Sequence, residues 1–251
     1  MQVGGTLDRY YSVIPKFMNG LAKESLKWEC DFLFGDADLS GCGFLDIGGG
    51  VGLASFYAAC AGATEVVCLE PEAEGSTHGV RDDFAKLREA LGVDNVQLVD
   101  STFQAFRAEP GTFGVVFLNA SVNHLDEPAC IEILKSEKAR GTYIELFRQM
   151  AELTSDNGLV IISDVSRHNV FPTFGLTNPA MPTIEWHKHQ SPHTWARLLR
   201  TAGYGDIRIT WHTPRPFGGA GRVLFGNSAV AFITRSRFRI LARKSPGSEH
   251  R

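Results

Sequence analysis

No apolar run in the 251 residues reaches membrane-spanning length, so no helical membrane span is expected. The first residues, Met1-Gln2-Val3-Gly4-Gly5, carry neither a basic segment nor an apolar core, which argues against a signal peptide. Neither sign of charge is in excess. The net charge is −3 and the pI is about 6.2, which leaves no electrostatic footprint for nucleic acid. The nearest thing to a basic strip is Arg235, Arg237, Arg239, Arg243 and Lys244, whose alternation reads as the solvated face of a strand. Cysteine is sparse and unpatterned. Cys30, Cys42, Cys60, Cys68 and Cys130 are odd in number and contain no Cys-x-x-Cys pair, so they read as reduced core residues of a cytoplasmic protein. Repeats and low-complexity segments are absent, and Ser245 to Arg251 reads as a disordered tail. Hydrophobic content of 43% and charged content of 21% suit a globular chain that buries one core, so a single domain over 1–251 is expected.

The chain is organised around Phe44-Leu45-Asp46-Ile47-Gly48-Gly49-Gly50-Val51-Gly52. Phe44 to Ile47 reads as a buried parallel strand and Leu53 to Ala59 as a helix. Glycines at such a turn accept positive φ and let a ligand approach the backbone. A dinucleotide fingerprint needs Gly-x-Gly-x-x-Gly or Ala. Counting from Gly48 the last position is Leu53, and from Gly50 it is Ser55, so nicotinamide and flavin are disfavoured.

The spacing that is present, Asp-x-Gly-x-Gly-x-Gly over Asp46, Gly48, Gly50 and Gly52, resembles the first motif of the class I S-adenosylmethionine-dependent methyltransferases. The resemblance spans about residues 40–244 and implies S-adenosylmethionine as cofactor, with S-adenosylhomocysteine as product. It places Asp46, Gly48, Gly49 and Gly50 in the cofactor-binding set. Glu70 ends the second strand, Glu65–Leu69, about 20 positions on, where an acid takes both ribose hydroxyls; Pro71 follows it. After the third strand, Asn95–Val99, the resemblance sets Asp100 on the adenine amino group, Ser101 at the ring nitrogens, and Thr102 and Phe103 along the base. Asn119 and Ala120 follow the fourth strand, Phe113–Leu118, where the family holds the methyl group and the substrate. Methyltransferases of exocyclic base amines carry Asn/Asp-Pro-Pro-aromatic there. Ala120-Ser121-Val122 does not fit that pattern, whereas a His a few residues on, His124, suits small-molecule families.

Elsewhere, periodicity predicts a helix over about Gly20–Phe34, with Tyr10 and Tyr11 before it; by resemblance, Tyr11 touches the cofactor. Val80, Phe84, Leu87 and Leu91 stripe a helix over Thr77–Leu91 that Gly92 stops. Pro128–Thr154 reads as helical with an interruption near Arg140-Gly141, and Asn157-Gly158 as a turn into strand five, Leu159–Ser163, ending at Asp164. Val165 to Gln190, with Pro172, Pro179 and Pro182, reads as an irregular insertion that covers the substrate. Ser191-Pro192 starts a helix that ends at Gly203. Strand six is Asp206–Trp211, 217–221 is flexible, Val223–Ile233 is a short helix, and Ser236–Arg243 is strand seven, antiparallel by resemblance.

The expected fold is therefore α/β: a Rossmann-like doubly wound sheet of about seven strands, mostly parallel with an antiparallel last strand. It has an N-terminal helical cap (1–40), a cofactor-binding half (41–164), a substrate-side half (165–244) and a tail (245–251). Its chemistry is positioning, with a base where the acceptor is a hydroxyl. His124, His187 and Asp164 are the catalytic candidates; Asn123, His124, Arg167, Trp186, His187 and His189 are the substrate-binding ones. His187-x-His189 lacks a cysteine or carboxylate at ligand spacing, so no metal is expected. The expected partner is a small molecule, with no nucleic acid and no membrane span, and the sequence is compatible with a homodimer. The reading is methyl transfer to a hydroxyl of a sugar, glycan precursor or secondary metabolite. A small-amine N-methyltransferase, an RNA or protein methyltransferase, and a non-catalytic cofactor-binding scaffold or sensor are the alternatives.

Overall fold

The computed structural model describes residues 3–18, 20–71 and 79–246. In order its elements are α1 (Val3–Phe17), α2 (Lys23–Phe34), β1 (Gly43–Ile47), α3 (Leu53–Cys60), β2 (Glu65–Leu69), α4 (Val80–Leu91), β3 (Val96–Val99) and β4 (Phe113–Asn119). Then follow α5 (Glu127–Glu132), α6 (Glu137–Leu153), β5 (Thr154–Val165), α7 (Val170–Thr173), α8 (Pro192–Thr201), β6 (Tyr204–Trp211), α9 (Gly218–Phe225), α10 (Ser228–Ile233) and β7 (Arg237–Lys244). The seven strands form one sheet in the order β3-β2-β1-β4-β5-β7-β6. β1 pairs in parallel with β2 and β4, β2 with β3, and β6 runs antiparallel to β7. This is the mixed, mostly parallel Rossmann-like sheet expected.

The chain packs as two compact units, one of Met1–Asn119 with Leu153–Leu159, the other of Ala120–Glu152 with Val160–Arg251. In the first, both faces of β1 are covered: Phe44, Leu45 and Ile47 are buried, and so is Asp46 between them. Phe34 of α2 stacks on Tyr57 of α3 at 4.9 Å and lies 4.9 Å from Phe117 of β4. Tyr10 is fully buried against Tyr57 and donates its hydroxyl to the Leu53 carbonyl at 3.0 Å. The predicted stripe of α4 is buried, and Gly92, at φ +64, ends it; the expected start at Thr77 lies outside the described residues.

In the second unit Tyr143 and Phe147 of α6 pack on Trp195 of α8, at 4.9 and 6.0 Å between ring centres. Ser191 caps α8 as expected, its Oγ accepting from the Thr194 N–H at 3.2 Å, with Pro192 in the first turn. The stretch after β5 is tied down from within. Asn169 Nδ2 donates to the Thr234 carbonyl and to Ser236 Oγ, and Asn178 Nδ2 donates to the same carbonyl and to Asn169 Oδ1.

Several local expectations need correcting. Tyr10 and Tyr11 lie inside α1, not ahead of the first helix. The break in the long helical region falls over 133–136, and Gly141 sits within α6, where a Cβ would meet open space. β5 begins at Thr154, so Asn157-Gly158 is part of the strand; Asn157 takes φ +60 there instead of turning the chain. The Val165–Gln190 stretch is not wholly irregular, since it holds α7 and a 3₁₀ turn at Trp186–Lys188. Residues 218–225 are helical, and Val223–Ile233 is split by Gly226-Asn227, with Asn227 Oδ1 capping α10. Of the expected tail, 247–251 lie outside the described residues.

Candidate functional site

Within the first unit, the end of β2 fixes the glycine turn. The N–H groups of Gly48 and Gly49 both donate to the Leu69 carbonyl, at 2.8 and 3.1 Å. The next N–H, of Gly50, donates to Glu70 Oε2 at 2.8 Å. Gly48, Gly50 and Gly52 take φ of +72, +54 and +80, which only glycine adopts at low cost. Gly49 is required for a different reason: a Cβ there would lie 2.5 Å from Cys68 Sγ and 2.6 Å from Asp46 Oδ2. A Cβ at Gly50 would meet no atom of the described residues within 4 Å, so the outer side of the turn is open among them, beside the Glu70 carboxylate.

Asp46 faces inward. It is buried and accepts a hydrogen bond from Ser55 Oγ at 2.7 Å. Burial pushes its carboxyl up from 3.8 to about 7, with the Ser55 bonds opposing and Glu70 adding to the rise. A raised carboxyl binds protons in the folded state that the unfolded chain has already released. The Asp46 contribution is therefore complete below about pH 4 and is lost as pH rises towards about 7. Asp46→Asn, neutral throughout, should gain stability relative to wild type across that window, by up to about 4 kcal/mol. Denaturant melts at pH 4, 6 and 8 measure this, and a constant difference would reject it.

The other residues of the first unit are placed as follows. Asp100 pairs with Arg81 at 2.8 Å, both half exposed. Ser101 N–H donates to the Val99 carbonyl, Thr102 Oγ1 accepts from Ala105 N–H at 3.3 Å, and Phe103 is buried in the core. Pro71 is half-buried behind Glu70, and Asn119 is exposed at the end of β4. Tyr11 is half-buried, edge-on to Tyr10 at 5.5 Å, with the Lys27 ammonium 5.2 Å from its ring centre.

The second unit gathers the remaining candidates. Ala120, at φ +53, holds a conformation costly for a residue with a Cβ, and its N–H donates to the Ser163 carbonyl at 2.8 Å. A 3₁₀ turn, Val122–His124, follows. Asn123 is buried, and its Oδ1 has no hydrogen-bond partner among the described residues. The Tyr143 hydroxyl lies within 3.0–3.2 Å of the carbonyls of Val122, Asn123 and Asp126 and pins this turn. His124 is exposed, with Nδ1 3.5 Å from Glu127 Oε2. The structure brings Asp164 and His189 together: Nδ1 of the buried imidazole lies 3.1 and 3.3 Å from the two carboxylate oxygens. Arg167 Nη1 donates to Gln190 Oε1 at 3.3 Å, and Gln190 Nε2 to the Cys130 carbonyl at 2.7 Å. Trp186 is half-buried and His187 exposed on the second 3₁₀ turn. Lys188 bridges Glu127 and Glu185, at 3.0 and 2.8 Å. Sequence reasoning missed Glu127, Tyr143, Lys188 and Gln190, which stand in no recognisable spacing. Among the described residues, no group of three or more His, Cys, Asp or Glu could hold a metal.

A family model described as a methyltransferase domain matches residues 22–208. No curated protein matches the chain. Among solved structures, an S-adenosylmethionine-dependent methyltransferase from Mesorhizobium loti is 14% identical, with 88% of this chain and 97% of that chain covered and a TM-score of 0.58. Phosphoethanolamine N-methyltransferase 2 from Haemonchus contortus, solved with phosphomonomethylethanolamine and S-adenosylhomocysteine, is 17% identical, covering 89% of this chain and 52% of that chain, at a TM-score of 0.56. The [4+2]-cyclase SpnF is 15% identical, covering 90% and 82%, at 0.57, so the shared fold does not by itself fix a reaction. The family model adds what fold likeness at 14–17% identity does not, a match of the sequence itself over residues 22–208, and the chain belongs to the class I S-adenosylmethionine-dependent methyltransferase family.

Proposed function

We propose that this protein binds S-adenosylmethionine on the β1–α3 turn and moves its methyl group to a small-molecule hydroxyl, of a sugar, glycan precursor or secondary metabolite. The supporting observation is the 2.8 Å bond from Gly50 N–H to Glu70 on a turn whose outer side is open. A carboxylate has two oxygens with several acceptor positions, so that bond leaves capacity for ribose hydroxyls. Gly48, Gly49 and Gly50 give the close approach, with the buried Asp46 supporting the turn from beneath, Asp100 and Ser101 read the adenine, and Thr102, Phe103, Asn119, Ala120, Pro71 and Tyr11 complete the surroundings. The cofactor supplies an already activated methyl on sulfur. The protein's own contribution is to hold the nucleophile in line, exclude water and accept a proton.

The acceptor side is assigned to the second unit, with Asn123, His124, Arg167, Trp186, His187, His189 and Asp164. The hydroxyl reading rests on this histidine-rich surface and on Ala120-Ser121-Val122 in place of a base-methylating motif. The five free cysteines, four of them buried, suit a reducing compartment such as the cytoplasm. Among the described residues no helix is long and apolar enough to cross a membrane.

The test is transfer from methyl-labelled S-adenosylmethionine to pooled sugars, phenols and alcohols, with a parallel pool of amines. Label in the hydroxyl pool supports the reading. Label confined to amines replaces it with N-methylation, and tight S-adenosylhomocysteine binding without transfer to any pool favours a sensor or scaffold.

A further inference from the structure

Two imidazoles of the second unit, His124 and His189, sit in opposite environments. The His124 side chain is 62% exposed, and its one close acid, Glu127, also serves Lys188. The His189 side chain is 9% exposed and that of Asp164 1%. A carboxylate facing Nδ1 places the neutral ring's proton on Nδ1 and leaves the lone pair on Nε2. The pair is held from several sides. Asp164 Oδ1 also accepts from Val165 N–H at 2.8 Å. Gln190 is fastened to the Cys130 carbonyl and to Arg167, and Cys130 Sγ donates to the Lys188 carbonyl at 3.2 Å. Burying such a pair costs more than burying apolar residues of the same volume, so packing alone does not account for it.

From this geometry we infer that His189, oriented by Asp164, accepts the proton of the acceptor hydroxyl; the inference rests on the hydroxyl reading above. As the new O–C bond forms, the O–H bond breaks and its electron pair stays on oxygen. The proton goes to Nε2, and the C–S electron pair returns to sulfur. The imidazolium so formed faces Asp164 of β5, with Glu185, His187 and Lys188 on the adjoining 3₁₀ turn, Arg167 beyond β5, and Glu127 and Cys130 on α5. Asp164 is a positioning residue: it fixes the tautomer and stabilises the charged ring.

The test uses the full chain and two probes, catechol and p-nitrophenol, the second already ionised at the assay pH. His189→Asn, which keeps a donor towards Asp164, should lower transfer to catechol by about 10²-fold or more. Transfer to p-nitrophenolate should stay within a few-fold, since that acceptor needs no base. S-adenosylhomocysteine affinity by calorimetry should be unchanged. Asp164→Asn should remove a downfield His189 Nδ1–H proton resonance, a readout independent of activity. His189→Gln provides a second variant should the first fold poorly. Equal losses on both probes, a His124→Ala variant that reproduces the selective catechol loss, or absence of the Nδ1–H resonance in wild type would each overturn the role. Wild type that binds S-adenosylhomocysteine but methylates only amine probes would overturn the hydroxyl reading and this role with it. Wild type that does not bind S-adenosylhomocysteine would instead sink the methyltransferase reading.

Discussion

Glu70→Ala should weaken S-adenosylhomocysteine binding by about 10²–10⁴-fold, read by calorimetry. A hydrogen bond to a charged group contributes roughly 1.5–3 kcal/mol, and one carboxylate is proposed to take two ribose hydroxyls. Every 1.4 kcal/mol is about tenfold in affinity. Alanine also removes the acceptor for Gly50 N–H, 2.8 Å away, and so loosens the turn the ligand would lie on. Glu70→Gln separates the two effects. Its carbonyl oxygen still accepts from Gly50, but its amide cannot accept a hydroxyl proton, so an intermediate loss of about tenfold is expected. Wild-type affinity in Glu70→Ala would mean the ribose is held elsewhere.

Gly49→Ala should be strongly damaging to the first unit. The added carbon would lie 2.5 Å from Cys68 Sγ and 2.6 Å from Asp46 Oδ2, both on buried side chains of β2 and β1. Neither has room to withdraw, and overpacking of this kind costs about 1–3 kcal/mol, more where backbone must shift. In a chain of this length the melting temperature should fall by about 5–10 °C, and S-adenosylhomocysteine binding should be lost with the turn geometry. Gly141→Ala is the contrasting case. It lies inside α6 with open space at its Cβ, so it should stabilise by about 0.5–1 kcal/mol. Similar melting temperatures for the two variants would show that the crowding at Gly49 is relieved more easily than its surroundings suggest.

Gly49 illustrates what was legible and what was not. The motif reading fixes Asp46, Gly48, Gly50 and Gly52 and leaves Gly49 as a free position. The fold makes that position as constrained as its neighbours, because the Asp46 side chain turns back beneath it. The strand ends carrying Glu70 and Asn119 were readable because β2 and β4 are largely buried apolar runs whose end is marked by a polar residue, whereas Asp100, after the edge strand β3 with its exposed Gln97, was placed by the resemblance. The errors fell where one residue type serves two conformations. Asn157-Gly158 has the composition of a turn, yet β5 runs through it with a single left-handed residue. Gly141 reads as a helix breaker, yet α6 carries it, and the break comes at 133–136, where no glycine or proline signals it. The α1 helix was missed because Pro15 and the tyrosines disguise its pattern; its buried face was visible only once Tyr10 was seen against Tyr57.

Sequence alone determined the family, the α/β sheet and the residues of the glycine turn, since these depend on local periodicity and on the fixed spacing a nucleoside demands. Tertiary structure decided which histidine has a carboxylate at its back. Asp164 and His189 stand 25 positions apart, and no periodicity links them. Only the path of the chain between β5 and α8, held by Asn169, Gln190 and Cys130, brings the two side chains within hydrogen-bond reach, because pairing across such a distance is set by packing and not by local preference.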